Sequence, residues 1–390
     1  MQQSKTTSMN RPLKIVYTTP QLYLADGVAR VLTMKANYFA EHFGYDITII
    51  ITEGKGKPVF YPLSDKIHVV NLDLNFEELW HQPFFKKAWI YLRKQRQYKC
   101  LLTQELMRIR PDITVTLLRR EINFINQIKD GSRKMGEMHV LRSHFRNFEK
   151  NDTNFLKELF AKFWMRRLIG ELRKLDRMVV LTETDAATWT ELSNVVAIPN
   201  PLPMMPKNVS PLTEKRVIAV GRYYQEKGFD LLLEAWAKVY QQYPSWRLEI
   251  FGDGDKEDYE AIRDRLGIPA SCCIINGRSN NIEQEYLKSS VFVCSSRFEG
   301  FGMVIIEAMA CGLAVVSFDC PYGPRSIIAD GKDGILAEAE NTDKLAEALS
   351  SVMGSPEKCQ SLATNAIRNV KRFQMDEIAN QWKQLFESIV

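Results

Sequence analysis

Two cationic side chains, Arg222 and Lys227, lie five residues apart in GRYYQEKGFDLLLEAW, between the β-branched run Arg216–Val220 and an amphipathic stretch. Gly221 permits a sharp exit from the strand, and Gly228 precedes a helix. Cations at such an entrance, with backbone N–H groups that have no intrahelical partner, suit a pyrophosphate and stabilise charge gathering on it as a bond breaks. For a basic pair alone, an ordinary solvated loop is the plainer reading. Two carboxylates follow eight residues apart in SSRFEGFGMVIIEAMACG: Glu299 beside Gly300 and Gly302, and Glu307 further on. A helix beginning near Gly302 puts Glu307 more than a turn inside and leaves Glu299 at the mouth. One carboxylate can then accept the hydroxyls of a ribose and the other those of a hexose. Glu307 sits among Val304, Ile305, Ile306, Ala308 and Met309; a carboxylate there needs partners, and a structural ion pair would satisfy it equally well.

The order G-R-x-x-x-E-K-G, then Phe251-Gly252-Asp253-Gly254, then E-G-F-G-x-x-x-x-E resembles glycosyltransferase family 4, from Arg216 to about Gly334. The resemblance implies a GT-B fold and a nucleoside-diphosphate-sugar donor. It assigns the diphosphate to Arg222 and Lys227, the transferred sugar to Glu299, the ribose to Glu307, and sugar and phosphate contacts to the main chain of Gly300, Phe301, Gly302 and Met303. Gly277-Arg278 is similar to the family's base-binding loop. LADGVARV, with Gly27, resembles the glycine loop of the first domain, although Asp26 stands where a second glycine is common. His144, in LRSHFRNFEK after an expected strand Met138–Leu141, stands where family members carry a histidine near the reacting sugar. The run FDCPYGPRSIIADGKDGIL is similar to members that build bacterial surface polysaccharides.

The resemblance further implies retention of the anomeric configuration, a hexose donor of UDP type and a glycan or lipid-linked acceptor. Catalysis would rest on positioning and leaving-group stabilisation, the departing phosphate taking the acceptor proton. Asp253-Gly254-Asp255 imitates a D-x-D metal motif, but it falls where the family has a glycine turn, and Arg222 and Lys227 supply the positive charge. No cofactor and no tight metal requirement are expected.

These residues must be held by strands and helices. β-branched runs at Leu13–Thr18, Asp46–Ile51, Ile113–Leu117, Met138–Leu141 and Met178–Leu181 alternate with helix-length amphipathic segments, which predicts a parallel sheet flanked by helices. After the Pro-rich stretch Pro199–Pro211, which reads as a linker, the pattern restarts at Arg216–Val220, Arg247–Phe251, Cys272–Ile275, Val291–Cys294 and Ala314–Phe318. The expected fold class is α/β: two doubly wound, Rossmann-like domains facing across a cleft. Residues 1–205 form the acceptor-side domain, 206–373 the nucleotide-sugar domain, and 374–390 a helix crossing back to the first. Ligands in such sheets bind beyond the carboxyl ends of the strands, where both motifs fall.

The 390 residues are 45% hydrophobic and 25% charged, enough for two cores. Seven scattered cysteines without zinc-like spacing fit reduced thiols. The first twelve residues lack the apolar run of a secretory signal, so a cytoplasmic protein is expected, soluble or peripheral at the inner membrane face. Residues up to 210 carry 32 basic against 21 acidic side chains, and the remainder 20 against 26. Lys86 to Arg110 concentrates eight basic residues among Trp89, Tyr91 and Tyr98, and Lys157 to Arg177 repeats the mixture. Either an anionic membrane surface or a solvated helix face accounts for this. A nucleic-acid partner is not expected, since no recognition motif accompanies the charge. No G-x-G-x-x-G follows a predicted strand, which argues against a dehydrogenase. The rivals on the same fold are a sugar phosphorylase or sugar-phosphate synthase and a catalytically silent, membrane-associated binding or assembly protein; intact donor motifs argue against the last.

Overall fold

The computed structural model describes residues 11–81, 83–140, 142, 155–203 and 205–390. They form two compact units. The first comprises residues up to Leu181, Asp185–Ile198 and Ala379–Val390, and the second Thr182–Thr184 and Pro199–Ile378.

In the first unit the elements run β1 (Lys14–Thr19), α1 (Gly27–His42), β2 (Asp46–Ile51), β3 (Ile67–Asn71), α2 (Phe84–Ile109), β4 (Ile113–Thr116), β5 (Arg133–Glu137), α3 (Phe155–Leu172), β6 (Arg177–Val180), α4 (Glu183–Ala186) and β7 (Val195–Ala197). All strands pair in parallel in the order β3-β2-β1-β4-β5-β6-β7. That order is doubly wound, and it reverses between β1 and β4. Tyr98, Leu102 and Leu106 of α2 pack on one sheet face with Val16, Leu118 and Met178.

The second unit repeats the design with β8 (Arg216–Val220), α5 (Phe229–Val239), β9 (Arg247–Phe251), α6 (Glu257–Arg265), β10 (Cys273–Asn276), α7 (Ile282–Leu287), β11 (Val291–Cys294), α8 (Met303–Ala310), β12 (Ala314–Phe318), α9 (Gly323–Ile327), β13 (Ile335–Ala337), α10 (Thr342–Met353) and α11 (Pro356–Val370). Its order is β10-β9-β8-β11-β12-β13, again parallel, with the switch point between β8 and β11. Fully buried Trp236, Leu232 and Leu233 of α5 anchor the core; truncating such a tryptophan costs about 3–5 kcal/mol. The last helix, α12 (Met375–Glu387), ends among first-unit residues, where Phe386 meets Phe39 edge to face with centroids 5.8 Å apart.

Both expected doubly wound sheets are present, with local corrections. The strand expected at Met138–Leu141 is β5, five residues earlier. Its sequence, RKMGE, hides a buried strand: a Cβ on Gly136 would stand 2.7 Å from Leu118 Cδ2, and the buried Lys134 ammonium reaches Asp130 and Ser132. Three edge strands, β3, β7 and β13, escaped the pattern because they are short and only partly buried. The Pro-rich stretch is no loose tether, since Ser210 N donates to Cys311 O at 2.8 Å and Leu202 N to Phe373 O at 2.6 Å.

Candidate functional site

β8 ends at Val220, and Gly221 N bonds back to Phe251 O at 3.0 Å. The neighbouring glycine is required by contact, because a Cβ on Gly252 would lie 2.1 Å from Gly221 O. This explains why Asp253-Gly254 is a turn packed on the Arg222 loop, with Tyr223 N donating to Asp253 O at 2.8 Å. Residues 225–227 make one tight helical turn, and Gly228 caps it at φ 61° before α5 begins.

Beyond β11 the chain passes Ser295 and Ser296, both buried, to Glu299, which is 8% exposed. Lys227 Nζ donates to Glu299 Oε1 at 2.6 Å, and Ser296 Oγ donates to the same oxygen at 2.8 Å. Burial alone would lower the Lys227 pKa; the Glu299 charge and hydrogen bond outweigh it and raise it above the ordinary lysine value. The lysine therefore stays charged. The pair lies between loops that leave β8 and β11, which is the switch point of this sheet.

Arg297 fastens the two loops together. Its guanidinium forks onto Asp230 at 2.9 and 2.7 Å, donates to Gln225 O at 2.7 Å, and has Glu340 at 3.3 Å. Ser295 Oγ donates to Lys227 O at 2.9 Å, and Arg297 N to Glu226 O at 2.9 Å. Neither Arg297 nor Asp230 stood out in the sequence, since no family motif or charge run marks them. Burial would raise the Asp230 pKa, but the arginine fork wins and lowers it.

Gly302 takes φ 100° and opens α8, so Met303 is the first helical residue and Glu307 lies half-buried in the second turn. Gly300 and Phe301 bridge from Glu299 to that helix. A Cβ on Gly323 would stand 2.3 Å from Phe301 O, and Gly323 N donates to Glu299 O at 3.1 Å. Tyr322, at φ 79° and ψ −69°, supplies the sharp bend that permits this approach.

Not every expected residue converges here. Arg222 shares the Lys227 loop, but its side chain is 62% exposed and turns to Glu226 at 3.0 Å and to the Tyr224 ring. Arg278 is exposed beyond β10, two strands from β8, although Tyr223 Oη ties that loop in by donating to Asn276 O at 2.5 Å. In the first unit Gly27 opens α1, and a Cβ there would meet none of the described residues within 4 Å. Asp26, at the second-glycine position, caps α1 itself: its Oδ1 accepts from Ala29 N at 2.7 Å. It thereby occupies a helix N–H that an anion would use.

His144 lies outside the described residues. The histidine that follows β5 is His139, which an earlier strand boundary would have singled out. It lines a small cavity with Val28, Leu117, Arg119, Met138 and Val140, beyond the carboxyl ends of β4 and β5 and beside the start of α1.

Comparison with known proteins agrees with this architecture. Residues 203–369 match the family of glycosyl transferases group 1. An uncharacterized glycosyltransferase of Haemophilus influenzae is 27% identical over 383 residues, 95% of this chain and 99% of that one. The amylovoran biosynthesis glycosyltransferase AmsD of Erwinia amylovora is 31% identical over 54% of this chain and 62% of its own. Among solved structures, a TarM mutant of S. aureus in complex with Fondaparinux, alpha-GlcNAc-glycerol and UDP superposes with a TM-score of 0.71 at 17% identity, covering 96% of this chain and 98% of that one. Taken together, the matches show that the chain has the GT-B fold and that residues 203–369 are similar to the glycosyl transferases group 1.

Proposed function

We propose that the chain is a retaining, family 4-type hexosyltransferase that moves a sugar from a UDP-sugar to a glycan or lipid-linked acceptor in surface-polysaccharide synthesis. The observation that carries the reading is the Lys227–Glu299 contact at 2.6 Å across the switch point. An ammonium and a carboxylate fixed this close bracket one bond: the lysine meets charge developing on the leaving phosphate, and the carboxylate meets hydroxyls of the departing sugar. Arg222, on a mobile-length side chain at the same loop, adds the second phosphate cation. Glu307 accepts from the ribose, Arg278 borders the base, and the amides of Gly300 to Met303 face sugar and phosphate. Two cations make a tightly held metal unnecessary.

The donor class is supported by the UDP in the TarM complex, and the product configuration by the alpha-GlcNAc-glycerol bound there. The polysaccharide setting is supported by the role named for AmsD. In the first unit the proposal keeps His144 beside the reacting sugar and adds His139, which follows β5 directly and lines the small cavity there.

Attachment to an anionic membrane is part of the proposal. Trp89 and Leu92 of α2 are 63% and 60% exposed, on the side of the helix turned away from buried Tyr98 and Leu102, and Arg93 and Arg96 flank them. Phe163 of α3 is 61% exposed between Lys162 and Arg166. Ordinary solvated faces place lysines and glutamates there, whereas aromatic anchors among cations suit a headgroup layer. No helix among the described residues is long and apolar enough to cross a membrane.

The test is thermal stabilisation of the purified protein by a panel of nucleoside diphosphates and sugar nucleotides, followed by proton NMR of any product. A shift specific to uridine compounds and an α-linked product are expected. Folded protein that no nucleotide stabilises would favour the binding-only alternative.

A further inference from the structure

Beside His139 lies a buried ion pair that donor binding does not use. Lys35 of α1 and Glu137, the last residue of β5, have side chains 2% and 1% exposed, and the ammonium bonds directly to Glu137 Oε1. The Trp382 ring covers the same ammonium, its centroid 4.1 Å from Nζ. Apolar residues of similar volume commonly replace such a pair at no loss of stability, so packing alone gives no reason for charge here. His139 Nε2 stands 3.0 Å from the same carboxylate oxygen, although it makes no hydrogen bond among the described residues as the ring stands, and the ring borders the cavity.

The surroundings keep the carboxylate charged. Burial would raise the Glu137 pKa; Lys35 first and His139 next outweigh it and bring it down to about 2. From β1, the buried Tyr17 hydroxyl has no hydrogen-bond partner among the described residues, and burial followed by the Glu137 charge pushes its pKa well above the ordinary value. Tyr45, before β2, is pushed to about 12 by burial and then by Glu387. Arg119, beyond β4, is the cation lining the cavity. Among the described residues Glu137 is thus the anionic group facing the ring, and its second oxygen, Oε2, has no hydrogen-bond partner there.

We infer that Glu137 is a positioning residue for His139: anchored by Lys35, it holds the imidazole with Nε2 protonated and leaves Nδ1 as an acceptor for a hydroxyl of a bound sugar. The ring nitrogen that carries the proton is set by the partner of that nitrogen. The catalytic consequence rests on the reading of His139 as a group beside the reacting sugar. The tautomer does not.

The experiment uses full-length protein with 15N-labelled histidine, His139 being assigned by His139→Gln. Wild type should show the Nε2-protonated form. The double variant Lys35→Met with Glu137→Met removes both charges and strands neither. It should redistribute the tautomers, lower kcat roughly ten- to a hundredfold and alter the pH profile, with nucleoside-diphosphate stabilisation unchanged. Glu137→Gln, which keeps an acceptor, should restore the tautomer in part. An unchanged tautomer and pH profile in the folded double variant would overturn the inference. Normal kcat in His139→Gln would instead sink the sugar-side role of His139, and the tautomer spectra would still decide the role of Glu137.

Discussion

The Lys227 ammonium and the Glu299 carboxylate meet at 2.6 Å although 72 residues separate them in the chain. Their loops leave adjacent strands, β8 and β11, and Arg297 binds one loop to the other through Asp230 and Gln225. A cation and an anion held by that many independent bonds are preorganised, so little reorganisation accompanies charge transfer beside them.

Lys227→Ala should lower kcat by roughly a hundred- to a thousandfold, about 2.7–4 kcal/mol, the scale of losing one preorganised charge stabiliser. Glu299→Gln keeps the shape but removes the charge and should lower kcat while leaving affinity for free nucleoside diphosphate near normal. Steady-state kinetics on both variants checks this, and wild-type turnover in Lys227→Ala would refute the assignment. The pair also has a pH signature. Because the folded-state pKa of Lys227 is raised above its ordinary 10.5, the stabilisation is fully present below that value and fades as pH climbs through the higher folded value. The difference in melting temperature between wild type and Lys227→Ala should be flat through neutral pH and shrink only under strongly alkaline conditions.

Glu307→Ala addresses the other end of the donor. Hydrogen bonds to a charged group contribute about 1.5–3 kcal/mol, so calorimetry should find nucleoside-diphosphate affinity reduced by roughly ten- to a hundredfold. The loss should be smaller for inorganic pyrophosphate, which has no ribose. Equal losses for both ligands would mean that Glu307 acts through the structure of α8.

Gly228→Ala is expected to damage the site without touching a functional group. Its φ of 61° is strained for any side chain, and the added Cβ would fall 2.1 Å from Ser295 O, on the loop that carries Glu299. The left-handed backbone alone costs about 1–2 kcal/mol, and the clash forces the two loops apart. Urea unfolding should show lower stability, and the variant should lose activity beyond what its folded fraction explains. Unaltered stability would contradict the close packing of these loops.

Much of this was legible in the sequence because the relevant signals are local. Arg222, Lys227 and Gly228 lie within seven residues, as do the Glu299 and Gly302 that open α8, and buried parallel strands such as Val291–Cys294 are plain β-branched runs. What escaped depends on distant partners. Lys134 and Gly136 mask β5 because one finds Asp130 and the other abuts Leu118 and Leu175. The misplaced strand then passed over His139, which follows β5 directly. Arg297 and Asp230 are unremarkable in sequence, and their bidentate pairing follows only once β11 is laid beside β8. The Lys35–Glu137 pair joins residues 102 apart, and no periodicity announces it.

The exposed stripe of α2 gives the prediction with the widest reach. Trp89 and Leu92 face away from the core, so replacing both with serine removes little buried area, and stability should change by less than about 0.5 kcal/mol. The same change removes the apolar anchors that would enter a headgroup layer, while Arg93 and Arg96 each contribute about 1 kcal/mol near an anionic surface. Flotation should therefore recover wild type with vesicles containing anionic lipid and not with neutral ones. The Trp89→Ser, Leu92→Ser variant should remain in the dense fraction, and raised salt should weaken the recovery of wild type as charge screening demands. Equal recovery on neutral and anionic vesicles would remove the electrostatic part of the proposal. No recovery on either would leave the stripe as a solvated face, and a lipid-linked acceptor would then have to reach the enzyme without membrane attachment through α2.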